Sequence, residues 1–359
     1  MKKILTVFGT RPEAIKLFPL IRKLEKEPSI ESKICVTGQH REMLDSVLSE
    51  FGITPDYDLA VMKDSQTLSY LTESILLKIN AVLDEYTPDV ILVHGDTTTA
   101  FASALAAFYR GIKIGHVEAG LRSKSIFSPF PEEFNRRAIS LMTSFHFAPT
   151  EDSVNNLLRE DVERSSIFLT GNTAIDTLKE TINSATSFEL PKKPFILMTL
   201  HRREHSDAEI SEIFNAIRRI CIDFPDLTVV YPVHKNPRFK LLSSNILGDL
   251  PNVILCEPMK VKKFHSYLRE CLFVVTDSGG IQEEAAFLGK YVLVLRDTTE
   301  RPEGIECGNL RLIGSDRERI FGEMKELLGK EPSQLKTPPC NKFGDGLASS
   351  RIVEILKGI

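Results

Sequence analysis

Asp96, Glu118 and the pair Glu132 and Glu133 lie within one short stretch of chain, each at the end of an apolar run or the start of an amphipathic one. Carboxylates gathered in one place raise each other's pKa, because each disfavours the other's charge. That is how a general acid or base is tuned to work near neutrality. Singly, Asp96 reads as the N-cap of the helix "TTTAFASAL", and Glu132 and Glu133 read as plain first-turn acids. As a set they point to proton transfer. No His-x-x-x-His or Asp-x-Asp spacing accompanies them, so the expected acid–base work is metal-free.

A second group of residues suits an anion. In "TDSGGIQEEAAFLG" a strand turns through Ser278, Gly279 and Gly280 straight into a helix. Glycines let backbone N–H groups approach a ligand closely, and a helix start carries partial positive charge, so the segment reads as a diphosphate cradle. Glu283 and Glu284 are placed in the first turn, where a carboxylate can accept from ribose hydroxyls. A capped helix after a glycine turn is the plainer reading. Arg11 comes just before Pro12, which is favourable at a first helical position. A cation there opposes the helix dipole, and either an anionic ligand or a carboxylate such as Asp96 accounts for it. His201, with Arg202, Arg203 and His205, suits anion contact in "MTLHRREH", and "QHREM" brings Gln39, His40 and Arg41 to another helix start.

The elements that position these residues alternate along the chain. "KILTVF", "SKICVTG", "DVILVHG", "IKIGHVEA", "FHFAPT", "SIFLTG", "FILMTLH", "LTVVYPVH", "NVILCEP", "LFVVTDS" and "YVLVLRD" read as strands apolar on both faces. "EAIKLFPLIRKLEKE", "REMLDSVLSEFG", "AFASALAAFYRG", "PEEFNRRAISLMTS", "EDSVNNLLRE" and "DAEISEIFNAIRRICIDF" read as helices between them. Strands covered on both sides imply βα units and mostly parallel sheets. At least eleven strands are too many for one plain βα barrel. The polar stretch 183–194 breaks the pattern and reads as a linker. The expected architecture is therefore α/β, two Rossmann-like doubly wound domains facing across a cleft. They span 1–182 and 195–344, with a final helix at 345–359 packing back on the first. A weak echo between "HGDTTTAFASALAAFYRGIKIGHVEAG" and "TDSGGIQEEAAFLGKYVLVLRD" supports two similar halves. Ligands of open parallel sheets bind outside the carboxyl ends of the strands. Histidine, charge and glycine collect at those ends, whereas the opposite ends ("YTPD", "RGIK", "FPDL") are bland.

The totals narrow the function classes. A net charge of −4 gives no case for nucleic acid, and no apolar run approaches the length of a membrane span. The apolar run at the amino end is too short for a signal-peptide core. The six cysteines are scattered, with no Cys-x-x-Cys pair, and read as reduced thiols in a cytoplasmic chain with neither a zinc site nor a disulfide frame.

Taken together and in order, "TVFGTRPEAIKLFPL", "TGQHREMLD", "VHGDTTTAFASALAAFY", "GHVEAGLRS", "PFPEEFNRR", "GNTAIDTL", "HRRE", "YPVHKNP" and "DSGGIQEEAAFLGKYVLVLRDTTERPEG" resemble the bacterial non-hydrolysing UDP-N-acetylglucosamine 2-epimerases across nearly the whole chain. The resemblance implies a glycosyltransferase-B-like fold, no redox cofactor, no required metal, and a homodimer acting on a small nucleotide sugar. It implies interconversion of UDP-GlcNAc and UDP-ManNAc by anti elimination of UDP to a 2-acetamidoglucal and re-addition. It assigns catalysis to Asp96, Glu118, Glu132 and His201. It assigns UDP contacts to Arg11, Lys16, Phe264, Ser278, Gly279, Gly280 and Glu284. Gln39, His40 and Gln66 match the region where some members bind a second, activating UDP-GlcNAc.

This chain departs from the family pattern in places. Phe130 replaces a usual tryptophan, His205 and Ser206 follow "HRRE" with a shorter connection, and Ser65 stands before Gln66 where activated members often carry arginine. Three other readings compete: a UDP-dependent glycosyltransferase, a hydrolysing epimerase that releases ManNAc and UDP, and a nucleotide-sugar sensor without catalysis.

Overall fold

The apolar runs form strands because most of their side chains are buried, and in the central strands neither face is left to water. In "VILVH" and "FILMT" all five residues are buried. The computed structural model describes every residue except 40, 64, 65, 124, 184–187, 203 and 204. His40, Ser65, Arg203 and Glu204, and the centre of the linker expected at 183–194, therefore lie outside the described residues.

Two compact units emerge. The first comprises Met1–Glu180 and Lys342–Ile359, and the second Thr181–Asn341. The strands of the first are β1 (Lys2–Phe8), β2 (Ile30–Val36), β3 (Tyr57–Asp58), β4 (Val90–His94), β5 (Lys113–Val117), β6 (Phe145–Ala148) and β7 (Ile167–Leu169). They form one seven-stranded sheet in the order β3-β2-β1-β4-β5-β6-β7, with every pair parallel. The second unit has β8 (Phe195–Thr199), β9 (Thr228–Pro232), β10 (Val253–Cys256), β11 (Val274–Thr276), β12 (Val292–Val294) and β13 (Leu310–Leu312). Its parallel order is β10-β9-β8-β11-β12-β13.

Each sheet reverses direction once, between β1 and β4 in the first unit and between β8 and β11 in the second. At such a switch point the connections leave to opposite sides and open a crevice at the carboxyl ends. The two segments that echo each other in sequence fall on equivalent units, β4–helix–β5 and β11–helix–β12.

Helices cover the sheets through regular apolar stripes. The helix Leu68–Tyr86, which the reading of the sequence passed over, buries Leu71, Ile75, Ile79, Val82, Leu83 and Tyr86 at the spacing of one helical face. Thr67 starts it by accepting from the Tyr70 N–H. In the second unit Ile213, Phe214 and Ile217 of the helix Asp207–Asp223 join Ile196, Met198, Tyr231 and Phe239 in one core. Fully burying each such side chain contributes about 1.5–3 kcal/mol, and truncating Phe214 to alanine costs about 3–5 kcal/mol. The closing helix Ala348–Gly358 buries Ile352, Val353 and Leu356, and the buried Asp176 carboxylate accepts from the N–H groups of Ala348 and Ser349 at its start.

One expectation is extended and one corrected. Among the described residues, β3 and β13 bring the strands to thirteen; at two and three residues they are too short to show a period. Cys307 and Cys340 are bonded to each other, so the six cysteines are not all free thiols. Their separation of 33 residues gives no local motif; the fold brings their Cα atoms to 5.8 Å by carrying residue 340 back against the end of the helix Pro302–Glu306. Cys35, Cys221, Cys256 and Cys271 remain free. Among the described residues, no helix is long and apolar enough to cross a membrane.

Candidate active site

In the first unit the switch point is lined by the turns that leave β1 and β4. Gly9 must lack a side chain, since a Cβ there would meet Thr37 Oγ1 at 2.1 Å and Thr99 Oγ1 at 2.4 Å. Glu13, one turn into the helix Arg11–Leu24, folds back to accept from the N–H groups of Gly9 (3.0 Å) and Thr10 (2.8 Å) and from the Thr97 hydroxyl (2.7 Å). Burial pushes its carboxyl above the ordinary value, against the pull of these donors. Both crevice walls are thereby tied together by one side chain. Arg11 is itself the first helical residue, with Pro12 second. Burial lowers its guanidinium from the ordinary value, while Glu50 acts the other way.

Asp96 does not cap the helix after β4. Thr97 does, accepting from the Ala100 N–H at 3.0 Å, which leaves the Asp96 carboxylate to other partners. Arg136 supplies them, with Nη2 and Nε at 2.7 and 2.9 Å from Oδ2, and Asn135 donates to the Asp96 carbonyl. Glu118, one residue past β5, is 7% exposed and holds a positive φ of 65°. A non-glycine residue pays about 1 kcal/mol for that backbone conformation, which persists only where the surroundings over-determine it. Here Lys16 reaches both carboxylate oxygens, at 2.6 and 2.7 Å, and His94 Nε2 stands 3.0 Å from Oε2. A Cβ on Gly95 would lie 3.8 Å from the same Oε2, so the residue preceding Asp96 borders the Glu118 carboxylate.

The pair at the start of the helix Glu132–Met142 divides into two roles. Glu133 is fully buried and pairs with Arg136 (3.1 Å), Arg137 (2.9 Å) and the Ser123 N–H (3.0 Å). It anchors the segment. Glu132 keeps a buried carboxylate oxygen, Oε2, with no hydrogen-bond partner. An unmatched buried acceptor is costly and calls for a reason, and a ligand is one. Cations meet the acids here: Lys16 pairs with Glu118, and Arg136 pairs with both Asp96 and Glu133.

In the second unit the switch point carries His201 after β8 and Asp277 after β11. Asp277 Oδ2 accepts from the N–H groups of His201 (2.8 Å) and Arg202 (2.7 Å), and His201 Nδ1 lies 3.1 Å from Oδ1. Although burial opposes it, His201 and these N–H groups hold the Asp277 carboxyl below the ordinary range. Thr276 Oγ1 accepts from the Ser278 N–H at 2.9 Å and stands 2.6 Å from the Thr199 hydroxyl, joining the two strand ends.

Ser278 precedes the helix Gly279–Phe287 and makes no side-chain cap. A Cβ on Gly279 would meet Arg301 Cζ at 3.0 Å, whereas one on Gly280 would meet nothing within 4 Å. A side chain at Gly279 would thus crowd the guanidinium packed on it, whereas Gly280 borders open space. Glu283 and Glu284 fall beyond the first turn, because the helix begins at Gly279. Glu283 is buried against Arg301 Nε at 2.7 Å. Glu300, held by Arg296 and Arg301 against the opposing effect of burial, sits at about 2. Glu284 Oε2 is 3.5 Å from His265 Nε2, and the half-buried Phe264 ring lies 6.3 Å from the His265 ring.

A family model for UDP-N-acetylglucosamine 2-epimerase matches residues 22–357. The chain belongs to the UDP-N-acetylglucosamine 2-epimerase family. A UDP-N-acetylglucosamine 2-epimerase of Bacillus subtilis is 50% identical over 360 residues, covering 99% of this chain and 94% of that protein. A Staphylococcus aureus structure described as an MnaA–UDP co-structure matches with a TM-score of 0.93 at 47% identity, over 100% of this chain and 96% of that one. The Neisseria meningitidis UDP-GlcNAc 2-epimerase bound to UDP-GlcNAc matches with a TM-score of 0.92 at 45% identity, over 99% and 100%. The fold class is that of these epimerases, α/β and glycosyltransferase-B-like.

Against the epimerase assignments, the first unit brings Asp96, Glu118, Glu132 and Lys16 to the ends of β4 and β5 and the helix after them. The second unit gathers His201, Ser278 and Gly279 around Asp277, while Phe264 and Glu284 group with His265. In the region assigned to an activator, Gln66 donates to the Gln39 carbonyl at 3.3 Å, and Gln39 Oε1 accepts from Thr99. Reading the sequence passed over Arg136, and it placed Asp277 and Arg301 at strand exits without giving either a role. Arg136 had a signal, lying four residues after Glu132 on one helix face. Asp277 had a strand-end position only.

Proposed function

We propose that this chain inverts carbon 2 of UDP-N-acetylglucosamine to give UDP-N-acetylmannosamine, reversibly and without hydrolysis. A carboxylate of the first unit takes the carbon 2 proton. The bond from carbon 1 to the diphosphate oxygen breaks, the oxygen keeping its electron pair, and a 2-acetamidoglucal and UDP are left. The diphosphate oxygen then adds back to carbon 1 while a proton returns to carbon 2 from the opposite face. The observation that carries this reading is the unpartnered buried oxygen of Glu132 on the same helix as the Arg136 that fixes Asp96.

The carbon 2 proton is a poor acid, so its base must be positioned and desolvated. The leaving diphosphate gathers negative charge, and a helix start with Ser278, Gly279 and Gly280, together with His201, suits it. Arg11 and Lys16 are proposed as UDP contacts in the same reading, with Phe264 near the base. A homodimer belongs to this reading too. The exposed Leu77, Phe108, Tyr109 and Leu141 of the first unit support it, and sedimentation at the mass of one chain removes it.

The deciding experiment is incubation of UDP-GlcNAc with the protein in deuterium oxide, followed by NMR. Deuterium at carbon 2 with UDP-ManNAc appearing is the expected result. Free ManNAc with UDP supports the hydrolysing reading, and an unchanged spectrum removes both.

A further inference from the structure

The carboxylate of Asp277 is fully buried at the switch point of the second sheet, and only its immediate neighbours can be what it serves. One oxygen, Oδ2, is satisfied by two backbone N–H groups that belong to His201 and Arg202. The other, Oδ1, makes no well-formed hydrogen bond in this structure, and His201 Nδ1 stands 3.1 Å from it. His205 Nε2 lies on the same carboxylate at 3.9 Å from Oδ2, beyond hydrogen-bond reach. Tyr231 turns its hydroxyl to the Leu200 carbonyl. Among the described residues, the His201 ring is thus the neighbour within reach of Oδ1, and a face of that ring is stacked by His234 at 6.0 Å between centroids.

We propose that Asp277 is a positioning residue that holds His201 as the Nδ1–H tautomer and aims its Nε2 away from the buried carboxylate, toward the leaving diphosphate. This rests on the epimerase reading for the ligand that Nε2 meets. A carboxylate that accepts from one ring nitrogen fixes which nitrogen carries the proton, and the other is then free to accept or, once protonated, to donate. The two backbone bonds fix the β8 end at the same time, so ring orientation and backbone are set by one side chain. Charge-assisted bonds of this kind are stronger than neutral ones, and this explains why a carboxylate is retained in a buried place.

Two measurements test it. Long-range proton–nitrogen spectra of the wild-type protein at alkaline pH, with the His201 signals identified by their loss in His201→Gln, should show Nδ1 protonated. Protonation at Nε2 overturns the proposal whatever the protein does to UDP-GlcNAc. The second is a double-mutant cycle on carbon 2 deuterium exchange. Asp277→Asn alone should slow exchange about 10²-fold, the scale of a misplaced group. In the His201→Gln background the same change should cost less than about threefold, because its effect runs through that ring. An equal loss in both backgrounds marks a structural role and overturns the proposal. Where Asp277→Asn fails to fold, the wild-type tautomer alone decides. A wild-type protein that does not exchange the proton at all removes the epimerase reading instead, and leaves the tautomer result standing.

Discussion

The guanidinium of Arg136 stands 2.7 Å from the carboxylate of Asp96, across from β4 on the helix that begins with Glu132. The same guanidinium reaches Glu133 at 3.1 Å, so one planar group sets the distance between the β4 exit and that helix. Lysine has the charge but not the fork. Arg136→Lys should therefore slow carbon 2 deuterium exchange about 10²-fold and lower stability by about 1–3 kcal/mol. Exchange rates and urea midpoints check it; an unchanged exchange rate removes Arg136 as the support of Asp96.

Glu118 is held in its positive-φ conformation with Lys16 across both oxygens. Glu118→Gln keeps the shape and removes the charge. The expected outcome is a loss of epimerisation of about 10²–10⁴-fold with UDP affinity changed only a few-fold. Calorimetric titration with UDP and the NMR assay read the two separately. Full turnover in this variant takes Glu118 out of the proton-transfer set.

His116 gives the protein a defined acid sensitivity. Its Nε2 donates to the Gly95 carbonyl at 2.7 Å, its Nδ1 is buried without a partner, and burial pushes the ring from about 6.5 down to about 3. Between those values the unfolded chain binds a proton that the folded chain refuses. Stability is complete above the unfolded value and falls as pH drops toward the folded one, by about 1.4 kcal/mol per pH unit. From pH 6.5 to 5 the loss is about 2 kcal/mol. Burial lowers His146 too and adds in the same direction. His116→Gln, which can still donate to Gly95, should flatten the denaturation midpoint against pH. An equally steep profile in the variant assigns the sensitivity elsewhere.

Gly279 and Gly280 are adjacent but differ in what surrounds them. Gly279→Ala drives a methyl group to 3.0 Å from Arg301, so both stability and UDP affinity should fall, the former by about 1–3 kcal/mol. Gly280→Ala enters open space and should leave the melting temperature unchanged while weakening UDP about tenfold, by excluding the diphosphate from the helix start. Thermal melts beside UDP titrations separate the cases. Unaltered UDP binding in Gly280→Ala means the diphosphate does not lie on this turn.

Much of the candidate site can be read from residue order. Strands apolar on both faces announce a parallel sheet, and a parallel sheet presents its ligand residues at the carboxyl ends, which is where Asp96, Glu118, His201 and Ser278 stand in the chain. The same logic could not reach Cys307 and Cys340, whose pairing depends on where the chain returns after β13 and the helix Arg317–Leu328. Nor could it separate Glu132 from Glu133, adjacent and identical in type, of which one anchors two arginines and the other keeps an unmatched oxygen.

From its residue order alone, the chain declared two runs of βα units, the acids at strand ends, the glycine turn at a helix start, and the family these motifs belong to. Those are properties of period, composition and local spacing, which act over a few residues. Tertiary structure decided that Thr97 rather than Asp96 caps its helix, that Lys16 and Arg136 stand among the acids, and that Arg301 rather than open space lies over Gly279. It decided too that Asp277 sits beneath His201. These are pairings between side chains distant in sequence. Packing selects each partner from many of the same type, and no local pattern encodes the choice.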